Sequence, residues 1–441
     1  MTRTSALFLS LFAASGIAHA QEQPETNASA AGDDAAIAEA IERYFDDVEA
    51  VRVSYGKKGF RLESRDGNFQ TNLQWRAQLR ATTPYRSDPR SLSAFDSEQT
   101  TFEGRRLRMK IGGHGYRPWL KYYFEVDLQP TRNLDSDSER ASARVIDWRI
   151  DVAKQKEFGI RVGQWKIDYN RERVDSSGRQ QFVERSIINR TFTIDRQMGI
   201  SFRGRLFEGT AADIRYYAGV FTGEGRGVSN DDNNLMYATR LQWNFLGRDL
   251  ALRQTDVERT EKPTGTFALG AASHTGRATR WSSSGGGNLD GFERVSNAQD
   301  GQYRVNQAVA EFAYKHQGFS TQNELHWKQI EDTTLNLGAS GRRSELYGYY
   351  TQFGYFFNEI YPSFPEELEL AVRYAWLEEP NGNDISLDNE REEATVAANW
   401  FFNGHNNKLT LDYSYLTLNE DDFFGGDATG SRVRLQWDIS F

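Results

Sequence analysis

Apolar residues return at every second position through most of this chain, and no other feature restricts its backbone as much. In "FQTNLQWRAQLRA" the set Phe69, Thr71, Leu73, Trp75, Ala77 and Leu79 alternates with Gln70, Asn72, Gln74, Arg76, Gln78 and Arg80. A period of two puts the two sets on opposite faces of a β-strand. "RRLRMKI" repeats the pattern with Leu107, Met109 and Ile111 against Arg106, Arg108 and Lys110, and "WLKYYFEVDLQ" repeats it again. The last ten residues, "RVRLQWDISF", set Val433, Leu435, Trp437, Ile439 and Phe441 against Arg432, Arg434, Gln436, Asp438 and Ser440. Each ribbon has one greasy face and one wet face. A soluble sandwich makes such strands too, so the connections have to choose.

Long polar joints fall near residues 82–100, 130–142, 167–196, 222–234, 274–302, 331–343, 379–391 and 419–430. Between them lie mostly tight joints such as "GHGYR", "AKQKE", "FEG", "HQG" and "NGHNN". Short turns at one rim and long loops at the other are the asymmetry of an outer-membrane barrel. The expected fold is all-β, a transmembrane antiparallel β-barrel of about 16 strands over residues 60–441, with both ends on the short-turn, periplasmic side. Two joints interrupt the alternation: "GRDLALRQTDVERTEKP" is long where a tight turn is due, and "NEIYPSFPE" is of middling length, which leaves the count open by two. The final strand is expected to close the wall, and its terminal aromatic resembles the C-terminal signal read by bacterial barrel-assembly machinery.

Residues 1–20 read as a secretory signal, with Arg3, an apolar stretch from Ala6 to Ala14 and an Ala18-His19-Ala20 cleavage site. No later stretch of about 18 apolar residues offers a membrane-crossing helix. Residues 21–59 read as a periplasmic segment with a short helix, whose Ile37, Ile41, Tyr44, Val48 and Val51 form a seam of two heptads. It is either a solvated linker or a short coiled coil that helps an oligomer assemble. The mean hydropathy of -0.70 does not count against a barrel, which shows only alternate residues to lipid. The 28 Phe, 20 Tyr and 10 Trp suit aromatic girdles at the two membrane interfaces.

Other chemistry finds little support. The absence of Cys excludes a disulfide framework and thiolate sites. His114, His274, His316, His326 and His405 are scattered, and no HExxH, P-loop or GxSxG occurs, so no catalysis, cofactor or metal is expected. A barrel hydrolase with a geometrically assembled triad and a β-rich periplasmic binding protein are the rival readings. The acidic loop runs at 135–139, 229–234 and 419–422 lack EF-hand order and read as solvated loops that could bridge ions at an anionic cell surface. The partners expected are small anions, outer-membrane lipid and lipopolysaccharide, with no nucleic acid.

Charge is unevenly placed in this chain of formal net charge -9. Between residues 161 and 205, ten basic residues (Arg161, Lys166, Arg171, Arg173, Arg179, Arg185, Arg190, Arg196, Arg203 and Arg205) stand against Asp168, Glu172, Asp175, Glu184 and Asp195. A watery lumen with low-dielectric walls focuses such a field, rings of Arg or Lys favour anions, and the Arg fork suits phosphate. Strand parity adds Arg106, Arg108 and Lys110, with Arg76, Arg80, Arg149, Arg240, Arg373, Arg432 and Arg434, to an inward ladder. Glu125, Asp127, Asp147, Asp151, Glu311, Glu369 and Asp438 face the same way, so a weakly selective pore is the alternative.

The segment "FGIRVGQWK" followed by "SSGRQQFVERSIINRTFTIDRQMGISFRG" resembles the core motif of the phosphate-selective porin O and P family. The matching positions are Gly163, Gln164, Trp165 and Lys166, then Phe182, Glu184, Arg185 and Ser186, then Arg196 and Gly199. The resemblance is sharpest over residues 158–206. It implies a sixteen-stranded trimeric outer-membrane porin whose third loop folds into the channel and passes phosphate or related anions. The chain departs from the family where "IDYNRERVD" replaces a Pro-Phe-Gly type turn, so its constriction is expected to differ.

Overall fold

The computed structural model describes residues 37, 39–40, 51–56, 58–128, 143–230, 233–282, 285–381, 388–420 and 426–441. The chain divides into two compact units, Met1–Ala50 and Val51–Phe441. The signal expected at 1–20 and most of the heptad seam lie outside the described residues.

In the second unit β1 (Arg52–Gly56) and β2 (Gly59–Glu63) precede β3 (Gln70–Thr83), β4 (Thr101–His114), β5 (Leu120–Asp127), β6 (Arg144–Val152) and β7 (Gly159–Lys166). Two single-turn helices follow, α1 (Arg171–Val174) and α2 (Asn189–Phe192), then β8 (Arg196–Leu206), β9 (Ile214–Phe221), β10 (Met236–Trp243) and β11 (Thr264–Gly276). The short β12 (Arg280–Ser282) and β13 (Gly285–Gly287) interrupt the next joint. The wall resumes with β14 (Tyr303–His316), β15 (Phe319–Asp332), β16 (Arg343–Tyr355), β17 (Leu368–Pro380), β18 (Asp388–Asn403), β19 (Asn407–Glu420) and β20 (Asp427–Ser440).

Every neighbouring pair from β3 to β11 and from β14 to β20 is antiparallel, β11 pairs with β14, and β20 returns to β3 from Ser440↔Arg76 to Val433↔Thr83. Sixteen strands thus form a closed barrel, the number expected. Its last strand closes the wall, and Phe441 exchanges backbone hydrogen bonds with Trp75. The β1–β2 hairpin extends the sheet where β2 pairs with the start of β3.

Which face turns outward follows from the alternation. Trp75, Leu79, Phe124, Leu241, Leu411 and Leu435 are exposed, whereas Arg76, Gln78, Arg80, Gln436 and Asp438 are buried. A contiguous apolar exterior would be unstable in water; against hydrocarbon it is the wall an outer-membrane barrel presents. No helix among the described residues is long and apolar enough to cross a membrane. Local corrections to parity arise in β4 and in β6, where an inserted Ile146 leaves Ile146 and Asp147 both buried. In β4 a register shift opposite Gln78 and Leu79 inserts Arg105, so Glu103 on one side of the bulge and Arg106 on the other both face in.

The two interrupting joints remain exceptional in the structure without changing the strand count. Residues 356–367 make a surface turn with a 3-10 segment, Phe357–Glu359. Residues 244–263 do something else: they turn back into the barrel.

Candidate functional site

Between β7 and β8, residues 167–195 leave the wall and cross the lumen. Their departure is set by the Gly-Gln-Trp-Lys motif. Gly163 has a φ of +129°, and a Cβ there would lie 2.3 Å from the Trp148 carbonyl oxygen, so only glycine allows the close approach of β6 to β7. The "IDYNRERVD" departure then buries Ile167 and Tyr169, which join Ile187, Ile188, Phe192 and Ile194 in an apolar cluster inside the barrel. That cluster seats the loop.

Two single-turn helices leave most of the loop's backbone polar groups without partners of their own. Irregular backbone at membrane depth is tolerated only where protein satisfies it, and here the side chains of the wall do so. Glu324 accepts hydrogen bonds from the Glu172 N–H (2.6 Å) and the Asn170 amide (3.0 Å). Glu311 accepts from the Arg171 N–H (3.1 Å), Asp412 from the Val183 N–H (3.0 Å) and Glu393 from the Ile187 N–H (3.0 Å). In the other direction Lys408 donates to the Gln180 carbonyl (2.6 Å), Lys328 to that of Thr191 (2.8 Å) and Arg373 to that of Glu184 (3.0 Å). Much of the charge on β14–β20 therefore serves the loop rather than a solute.

The inward-turned joint braces the same loop from the short-turn side. Arg171 donates to the Ala251 carbonyl (2.5 Å), Gln254 accepts from the Gln181 N–H (2.8 Å), and the Gln254 N–H donates to the Arg179 carbonyl (3.2 Å). Lys315 reaches the Thr255 carbonyl (2.5 Å). A long joint where a tight turn was due thus has a use: it underpins the third loop.

What the loop leaves open is a cavity of about 710 Å³ against β3–β8. Of the thirteen cations singled out from the sequence, Arg108, Lys110, Arg161, Lys166, Arg179 and Arg203 line it. The others lie elsewhere. Arg173 is buried against Asp195, with its Nε 3.0 Å away. Arg185 donates to the Glu172 and Asp175 carbonyls, and Arg171 lies under the loop on Gln322. Arg196 pairs with Asp147 (2.7 Å), and Arg106 pairs with Glu184 (3.2 Å). Arg190 reaches Asp290 in the β11–β14 joint, and Arg205 holds Asp213 near the short-turn rim. Sequence patterning gave no way to separate these from the lining set, because it cannot say which side of an inserted loop faces open space. Lys58 and Lys121 also join the lining; Lys58, in a turn and next to Lys57 in sequence, was missed, whereas Lys121 falls on the polar face of the "WLKYYFEVDLQ" alternation but was not among the cations singled out. Arg149 also lines the cavity and was legible from parity.

The lining carries nine basic side chains, namely Lys58, Arg108, Lys110, Lys121, Arg149, Arg161, Lys166, Arg179 and Arg203, against Glu125, Asp147, Asp151 and Asp168. Most of the arginines are paired: Arg108 with Glu125 (2.9 Å), Arg161 with Asp151 (2.5 Å), Arg149 with Asp151 (3.3 Å) and Arg203 with Asp168 (3.2 Å). Lys166 donates to the Arg173 and Asp175 carbonyls. The cavity is therefore positive overall but contains local dipoles.

Within the loop the carboxyls divide. Burial acts to raise Glu184, but Arg106, Arg80 and Arg105 outweigh it and hold the carboxyl well below the usual range, so this motif glutamate stays ionised at the hub of three arginines. Burial, then the neighbouring Glu324 carboxylate, pushes Glu172 up to about 7. Burial pushes Asp175 up to about 6, against the pull of Arg171 and Arg179.

A family model described as phosphate-selective porin O and P matches residues 80–438. Among solved structures, the chain is similar to the anion-selective porin from Comamonas acidovorans at 10% identity, covering 84% of this chain and 99% of that one with a TM-score of 0.53. It is also similar to the outer membrane channel DcaP of Acinetobacter baumannii, at 10% identity, 84% and 97% coverage and a TM-score of 0.52. OmpT, an outer membrane protein of Vibrio cholerae, is similar at 8% identity, 84% and 97% coverage and a TM-score of 0.51. A comparison with curated protein sequences finds no match.

Proposed function

Since the chain belongs to the phosphate-selective porin O and P family, and is thus an outer-membrane channel of a bacterium, we propose that it is a passive, anion-preferring pore for phosphate-like or related anions. The supporting observation is the surplus of nine basic over four acidic side chains around the cavity. Lining charge sets ion preference, and conduction requires that binding stay weak enough for release. A low-dielectric wall strengthens the effect of that surplus. In this reading residues 1–20 are removed as a signal, residues 21–59 lie in the periplasm, and the barrel over 60–441 assembles as a homotrimer in contact with lipid and lipopolysaccharide.

The test is the reversal potential of the purified channel in a planar bilayer across a potassium chloride gradient. An anion-preferring sign is expected, and the double variant Lys110→Glu/Arg179→Glu should move it toward cations. A cation-preferring wild type would sink the proposal; a value near zero would favour the weakly selective pore, for which the four lining carboxylates speak.

A further inference from the structure

Resting on that anion preference, we propose that the solute held in the 710 Å³ cavity is a small hydroxylated monocarboxylate, of the sugar-acid class, in preference to inorganic phosphate. Its carboxylate would lie between Lys110 and Arg179, and its hydroxyls against the amides of β3.

Charge availability is the first ground. A phosphate dianion is held best by several guanidinium forks free to meet its oxygens. Here the forks of Arg108, Arg149, Arg161 and Arg203 already hold carboxylates, and those carboxylates repel a dianion more than a monoanion. Lys110 and Arg179 differ, because neither side chain makes an ion pair or hydrogen bond with a described residue. Both line the same cavity, Lys110 from β4 and Arg179 from the loop. An ammonium and one unpaired guanidinium suffice for the two oxygens of one carboxylate.

The second ground is the neutral wall. Gln70, Asn72 and Gln74 occupy successive inward positions of β3 and line the cavity. Asn72 donates to the Gly112 carbonyl (3.0 Å), while Gln70 and Gln74 have no side-chain hydrogen bond to a described residue. A free amide offers both donors and acceptors, which suits a row of hydroxyls, each able to donate and accept, better than hydrogen phosphate, whose single O–H stands among acceptor oxygens. Opposite them Gly112 makes room for the Tyr123 ring, which a Cβ there would approach to 2.9 Å, and Tyr123 lines the cavity too. The volume agrees, since cavities of roughly 300–1,000 Å³ enclose organic molecules of drug-like size, well beyond one phosphate.

The experiment compares sodium gluconate, acetate and inorganic phosphate as blockers of single-channel current in planar bilayers at matched ionic strength. Gluconate should block at a concentration about tenfold below the other two, and Lys110→Gln or Arg179→Gln should each weaken its block about tenfold, the worth of one charge-assisted hydrogen bond. Gln74→Ala should bring gluconate down to the level of acetate. Block by phosphate at lower concentration than gluconate would overturn the inference, as would equal block by gluconate and acetate on the wild type, which needs no variant to fold. Reversal potentials on the same channels keep the two proposals apart: cation preference removes the anion pore itself, whereas anion preference with phosphate the stronger blocker removes only the sugar-acid reading.

Discussion

Glu324 is where the loop's first turn is fastened to β15, and Glu324→Ala tests whether wall side chains truly hold the constriction. The carboxylate accepts from the Glu172 N–H (2.6 Å), the Asn170 amide (3.0 Å) and, through its second oxygen, faces His326 Nε2 at 3.0 Å. Removing it strands at least the Glu172 and Asn170 donors in a buried site. A stranded donor costs about 1–3 kcal/mol, so the loop's entry should lose about 2–6 kcal/mol of anchoring, less whatever an entering water restores. The barrel itself should persist, because β15 pairs with β14 and β16 through main-chain bonds that the substitution leaves alone. Later anchors at Val183 and Ile187 also remain. The freed stretch includes Val174, Ser176 and Arg179, which line the cavity, so single-channel recordings should show added open-state noise. Glu324→Gln keeps one acceptor and should show a smaller change. A variant barrel with normal heat-modifiable gel mobility, and with the noise and conductance of the wild type, would refute the idea that this carboxylate fixes the loop.

Two further outcomes are expected. Glu184→Gln discharges the acid that neutralises Arg80, Arg105 and Arg106, so reversal potentials should move further toward anions; movement toward cations would show that Glu184 does not mask them. Asp175 keeps its proton in the folded state up to about 6, whereas the ordinary value is 3.8. Protonation therefore favours folding, and stability from this group falls as pH rises from about 4 to 6, by up to roughly 3 kcal/mol. Asp175→Asn should remove that slope and be the more stable form at pH 7 in urea unfolding from detergent micelles, and an unchanged slope between wild type and variant would contradict the burial argument.

The barrel was legible because lipid-facing strands obey a strict period and their joints alternate in length. Trp75 and Arg76, or Leu435 and Gln436, announce their faces from sequence alone. Parity failed at register shifts such as those that insert Arg105 and Ile146, where one extra residue reverses the faces and no local signal marks it. The site was legible in sign but not in detail. Lys166 and Arg179 reach the cavity, while Arg173 and Arg185, with the same charge in the same loop, turn into its packing. An inserted loop has no period, and its orientation depends on distant acceptors such as Glu324 and Asp412, more than a hundred residues away in sequence. The inward path of residues 244–263 was visible only as an anomaly of length.

Joining the first stave to the last has a consequence for biosynthesis. β3 stays half unpaired until β20 arrives, and β20 is the last of the sixteen staves to be synthesised. A cylinder sealed that way cannot exist in smaller sizes: a polypeptide cut short before that stave would carry two raw hydrogen-bonding edges into a solvent of hydrocarbon that offers them nothing. Premature termination should therefore yield aggregated or degraded material, never a narrower conduit.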